Sequence, residues 1–168
     1  MKKRKKKEKK SDRLSSILVR YLILFILAIP NLWIFYSIFT PLTVYAVYFI
    51  LGLFFEVTLM NNIILVNHLF PIEIIEACVA GSAYYLLLIL NLSVPKIKIL
   101  KRIKMISLSF LTLFIFNIAR IVFLSLTFIN EKPWFETVHI MFWYLGSILL
   151  VVLIWFAEVA LFKIKDIP

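Results

Sequence analysis

The sequence predicts an all-α, polytopic membrane protein, and three observations carry that prediction. Of its 168 residues, 63% are hydrophobic, and the mean hydropathy is +1.00. Apolar runs of about 20 residues recur, each long enough at 1.5 Å per residue to cross a hydrocarbon core of roughly 30 Å. Three glycines and sixteen phenylalanines exclude a fibrous or disordered chain. The length leaves no room for a large soluble domain beside the spans, and the chain carries no internal repeat.

The elements follow in order. Residues 1–13 (MKKRKKKEKKSDR) hold nine of the nineteen Lys and Arg in a chain of net charge +10. This run lacks aromatic interleaving and directly precedes an apolar span. It reads as a cytoplasmic topology anchor that touches anionic lipid headgroups, with no nucleic-acid partner. Residues 14–168 are expected to form a single transmembrane domain of about four to five apolar segments. No signal-peptide cleavage pattern is present, so the first segment is read as retained. That segment covers about 15–39 with a break at Pro30-Asn31, and the second runs about 41–60 after Thr40-Pro41. Residues 61–77 (NNIILVNHLFPIEIIEA) are mixed, and the alternation in IEIIE predicts short strand-like pieces at the interface. The third segment covers about 78–94, a basic loop spans 96–104, and the fourth and fifth segments cover about 105–129 and 137–162.

Positive charge orients these segments. The 96–104 loop carries five Lys and Arg, and Lys163 and Lys165 follow the last span, so both belong in the cytoplasm. The loops around 61–77 and 130–137 then lie outside. Five full crossings would place the basic tail outside too, against the same rule. We therefore expect the first segment to form a kinked hairpin or to lie partly in the interface.

This orientation brings three reactive side chains to one face. Cys78 opens the third segment, and His139 opens the fifth, both at the outer side. Arg120 lies sixteen residues beyond Lys104, about 24 Å across the core. A lone cysteine permits no internal disulfide, and a buried thiol is often inert packing. A thiolate beside an imidazole or guanidinium, at the positive end of a helix, is instead a nucleophile. Imidazole is the natural general base and then acid. A guanidinium would hold the thiolate, an oxyanion or a substrate carboxylate. The competing readings are structural: a salt bridge from Arg120 to Glu56, Glu76 or Glu136, and a capping or interfacial hydrogen bond for His139. Asn117, one turn before Arg120 on the same helical face, either orients Arg120 or makes a helix–helix polar contact. His68 reads as an interfacial loop residue, Trp134 and Trp143 as belt anchors. Glu158, near the cytoplasmic end of the fifth segment, reads as a partner for a lysine of the basic loop. Two His and one Cys without short ligand spacing predict no metal, and no cofactor is expected.

Three motifs in order, ACVAGS, then FNIARI, then VHIMFWY, each in a separate span, resemble the exosortase/archaeosortase family, whose members share Cys, then Asn-x-x-Arg, then His or Arg. The resemblance covers roughly 40–165 and is nearest to the short archaeal branch, the pacearchaeosortases. It implies a membrane-embedded cysteine transpeptidase or protease in a multi-pass cell-membrane protein, with its active site on the extracytoplasmic face. Its substrates would be secreted proteins ending in a sorting signal: a short motif, a transmembrane helix and a basic tail. The new C-terminus would pass to an acceptor, a membrane lipid. By that resemblance Cys78 is the nucleophile, Arg120 assists, and His139 carries the proton, with Asn117, Ser82 and Glu76 in support. Many members read Cys-Ser-Gly-Ile, whereas Val79 and Ala80 precede Gly81 here, which leaves Ser82 to supply any hydroxyl. The alternative is a non-catalytic membrane subunit that binds partner helices through Asn117, Arg120 and Glu158. A transporter is disfavoured because the chain shows no inverted repeat or paired half-helices.

Overall fold

The structure, a computed structural model, describes residues 18–29, 32–95 and 97–164. The basic tail 1–13 and the Pro30-Asn31 break lie outside the described residues. The chain divides into two compact units, residues 1–34 and 35–168. In the first, α1 (Leu18–Ala28) is apolar but shorter than a membrane span. The remainder runs α2 (Trp33–Gly52), β1 (Val57–Met60), β2 (Ile63–Val66), β3 (Phe70–Glu73), α3 (Glu76–Val79), α4 (Gly81–Ser93), α5 (Ile99–Ile129), α6 (Phe135–Met141), a π turn (Phe142–Gly146) and α7 (Ser147–Leu161). Four helical stretches among the described residues are long and apolar enough to cross a membrane: Trp33–Gly52, Glu76–Ser93, Ile99–Ile129 and Phe135–Leu161.

Three expected boundaries move. α2 runs without interruption through Thr40-Pro41, with Pro41 inside it. Membrane helices accept proline where neighbouring groups satisfy the freed backbone, so it does not divide two spans here. α2 also stops at Gly52, short of the expected end near 60. Beyond it, β-branched Val57 and Thr58 alternate in burial along β1, which suits a pleat better than a helix. The strand-like pieces predicted for 61–77 are thus part of a regular three-stranded antiparallel sheet, ordered β1-β2-β3. Asn61, at φ 55°, turns the first hairpin, and Asn67 and His68, at φ 50° and 58°, turn the second. Asparagine tolerates the left-handed region better than most residues. His68 is exposed in that turn. The expected basic loop is shorter than 96–104, because α5 already begins at Ile99.

The core sits where α2, the sheet and α5 meet. Val44, Val47 and Leu51 of α2 pack with Ile64 and Val66 of β2, Ile74, Val79, and Ile118 and Ile121 of α5. α4 lies close to α2: Phe39 stacks on Tyr84 at 3.9 Å between ring centroids. A Cβ on Gly81 would stand 2.6 Å from the Tyr36 ring, so only glycine permits this approach. Conversely, α7 buries only Val151, Ile154, Trp155 and Glu158. Its remaining apolar surface faces outward, as on a helix bathed in lipid.

Candidate active site

Cys78 lies in α3, a single turn that ends where Ala80 adopts the left-handed conformation, φ 60° and ψ 40°. This break separates α3 from α4 and strips the Cys78 and Val79 carbonyls of helical partners, which must be found elsewhere. α5 supplies them. Asn117 Nδ2 donates to the Cys78 carbonyl at 2.8 Å and to that of Val79 at 3.4 Å. Arg120 Nη2 donates to the same Cys78 carbonyl at 3.2 Å, and Nη1 donates to Ser147 Oγ at 3.0 Å. Two side chains one turn apart thus converge on one peptide group.

Arg120 is therefore not held by a carboxylate. None of Glu56, Glu76 or Glu136 forms an ion pair with it among the described residues; its partners are a carbonyl and a hydroxyl. Its Nε is buried without a hydrogen-bond partner among them. The guanidinium lies within electrostatic reach of the Cys78 thiol.

A cavity of about 640 Å³ joins these groups, and its wall includes Cys78, Ser82, Arg120, His139 and Ser147. The free thiol is half-buried, as are Arg120 and His139, whereas Ser82 is exposed. The His139 ring stacks on Phe135 at 5.6 Å and meets Trp143 edge-on at 6.0 Å. These rings fix its plane while its nitrogens stay free of hydrogen bonds to described residues. No hydrogen bond joins the imidazole to the thiol in this state. Trp143 also lines the cavity, which goes beyond the interfacial-belt role expected for it. Glu76 is exposed and is not part of the cavity wall; it lies within reach of Tyr36. The carboxylate on the wall is Glu73.

Ser147 is one residue that sequence reasoning missed. In an unbroken α-helix, His139 and Ser147 would sit about 80° apart, eight residues at 100° each. The intervening π turn takes up one extra residue, and both side chains then face the cavity. A Cβ at Gly146 would lie 2.9 Å from Phe142, so the tight packing inside this turn depends on glycine. The FWYLG run gave no periodicity signal that would reveal it.

A second polar cluster ties the same helices at their other ends. Ser109 Oγ of α5 donates to Glu158 Oε2 of α7 at 2.7 Å, and Asn91 Nδ2 of α4 donates to the same oxygen at 3.1 Å. Arg102 reaches the Asn91 and Val94 carbonyls at the end of α4. The expected pairing of Glu158 with a basic-loop lysine is thus replaced by this cluster. Lys101 instead donates to the Phe162 carbonyl at 2.8 Å, capping α7. The described residues contain no group of three or more His, Cys, Asp or Glu able to hold a metal.

Comparison of the chain with known protein families, curated proteins and solved structures finds no match. The fold and site define a helical protein with four candidate membrane spans and a cysteine-bearing cavity.

Proposed function

We propose that this chain is a membrane-embedded cysteine transpeptidase of the exosortase/archaeosortase type, which cuts C-terminal sorting signals from secreted proteins. The observation that carries this reading is the shared cavity. One half-buried thiol, one imidazole and one guanidinium line the same space, the last two without a carboxylate partner among the described residues. Orientation supports the reading. Four crossings from Trp33 to Leu161 return the chain to its starting side, so the 96–104 region, Lys163 and the N-terminal basic tail share the cytoplasm, provided α1 does not cross. The sheet and the cavity then face outward, where a secreted substrate arrives.

The chemistry follows from the groups present. Cys78 Sγ, having lost its proton to His139, attacks the scissile carbonyl to give a tetrahedral oxyanion. His139 returns the proton to the leaving amine, and the C–N bond breaks to leave a thioester on Cys78. An acceptor hydroxyl or amine, a membrane lipid in this reading, then attacks the thioester, loses its proton to His139 and releases the thiolate. Arg120 holds the Cys78 peptide and keeps a positive charge beside the sulfur.

The test is co-expression with a tagged precursor that ends in a short motif, an apolar helix and a basic tail. Wild type should process it and yield a hydroxylamine-sensitive adduct, and Cys78→Ala should abolish both while still inserting. Unchanged processing by Cys78→Ala would overturn the proposal and leave a non-catalytic membrane subunit that binds partner helices.

A further inference from the structure

The cavity wall contains a strand edge that no described residue pairs with. β3 pairs with β2 in the register Ile64↔Ile72 and Val66↔Phe70, and the Ile74 N–H donates to the Asn62 carbonyl at 2.9 Å. In an antiparallel ladder, a residue's N–H and C=O point to the same side, and successive residues alternate sides. Phe70, Ile72 and Ile74 therefore bond to β2, while Pro71, Glu73 and Ile75 turn their backbone groups away from it. Proline sits in the one kind of position where its missing N–H removes no ladder bond. That leaves the Pro71 C=O, both Glu73 groups and the Ile75 N–H without backbone partners among the described residues; only the Ile75 C=O is taken, by the Cys78 N–H at 2.9 Å.

These residues are exposed, they line the cavity, and Glu73 precedes Cys78 by only five positions. Unpaired edges are normally blunted or covered because they recruit strands. Beside lipid, each unmet group is costlier still.

We propose that this edge docks the substrate: an extended peptide segment of the sorting signal adds to the sheet as a fourth strand on β3. Its hydrogen bonds go to Glu73, the Pro71 C=O and the Ile75 N–H, which carries the scissile bond toward Cys78. The inference rests on the transpeptidase reading and deepens it by assigning the substrate's conformation and its binding groups. Backbone pairing supplies affinity without reading side chains. Phe128, Phe135 and Phe142 also line the cavity, and Phe128 meets Phe70 of β3 edge-on at 6.0 Å, so these rings offer apolar contact to one face of the bound strand.

The test exploits the single cysteine. Cys78→Ala makes the chain cysteine-free, and Glu73→Cys on that background provides one thiol at the edge. A single cysteine is then walked along the motif segment of the tagged precursor, and disulfide cross-links are scored under mild oxidation. The expected result is cross-linking at alternate residues, since opposed strand positions share a face every second residue. A flat profile, no cross-link at any position, or a cross-linked dimer of the chain through Glu73→Cys would each overturn the proposal. In the otherwise wild-type chain, Glu73→Pro removes the outward N–H without touching the β2 ladder. It should lower precursor processing about tenfold, the worth of one hydrogen bond, while Cys78 alkylation stays unchanged and reports an intact fold. Processing at the wild-type rate would count against the pairing. The two readings separate cleanly: a wild type that cleaves the precursor with no alternation refutes only the strand. Alternation with an uncleaved precursor refutes only the transpeptidase.

Discussion

Arg120 is the residue whose environment decides most. Its guanidinium bridges the Cys78 carbonyl and Ser147, two groups on different helices that a point charge cannot span in the same geometry. Arg120→Lys keeps the charge but loses the planar fork. We expect activity on the precursor to fall by at least tenfold while membrane insertion persists, measured as initial processing rate against protein level. Ser147→Ala removes one hydrogen-bond partner of the charged guanidinium and should cost about 1.5–3 kcal/mol of stability, read from thermal unfolding in detergent. Sequence reasoning reached Cys78, Asn117, Arg120 and His139 because their chemistry is unusual within apolar spans. It could not reach Ser147, whose role depends on a π turn, or Glu73, whose contribution lies in its backbone rather than its side chain.

The α3–α4 break sets the position of the Cys78 carbonyl, and it is governed by two small residues. Ala80 holds a left-handed conformation that costs an L-residue with a Cβ roughly 1–2 kcal/mol. Ala80→Gly should therefore raise the unfolding midpoint. Gly81 is the reverse case. Gly81→Ala sets a methyl 2.6 Å from the Tyr36 ring, and overpacking of this kind costs about 1–3 kcal/mol. We expect a lowered midpoint and a changed rate of Cys78 alkylation. At the opposite end of α7, Glu158→Gln keeps an acceptor for Ser109 and gains a donor for the Asn91 Oδ1, which has no hydrogen-bond partner among the described residues. It should be tolerated. Glu158→Leu removes the acceptor that Ser109 and Asn91 share, leaves them the Met105 and Leu87 carbonyls, and should lower the midpoint by unlinking α7 from α4 and α5. The apolar length of each span was readable from the sequence, but the end of α2 and the start of α5 were not. Both lie where hydrophobic residues continue while the backbone changes from one regular pattern to another.

For the whole molecule, the outward orientation proposed for the site is open to direct measurement. Intact cells treated with a membrane-impermeant maleimide should label Cys78, whereas a cysteine placed at Ile99 on a Cys78→Ala background should label only after permeabilisation. The reverse pattern would invert the orientation. The two polar clusters have a consequence at this scale. The one at the cavity joins the Cys78 peptide, just before α4, to α5 through Asn117 and Arg120 and to α7 through Ser147. The other joins Asn91 of α4, Ser109 of α5 and Glu158 of α7. Along both α5 and α7 the tied positions are eleven residues apart, Ser109 to Arg120 and Ser147 to Glu158, or about 16 Å. Lipid gives helices little reason to keep one axial offset over another. A tie at one level would leave each helix free to pivot about it. Two ties at equal spacing act like the rungs of a ladder: sliding any one rail by a helical turn breaks both rungs together, and the cavity groups keep their alignment in a solvent that does not enforce it.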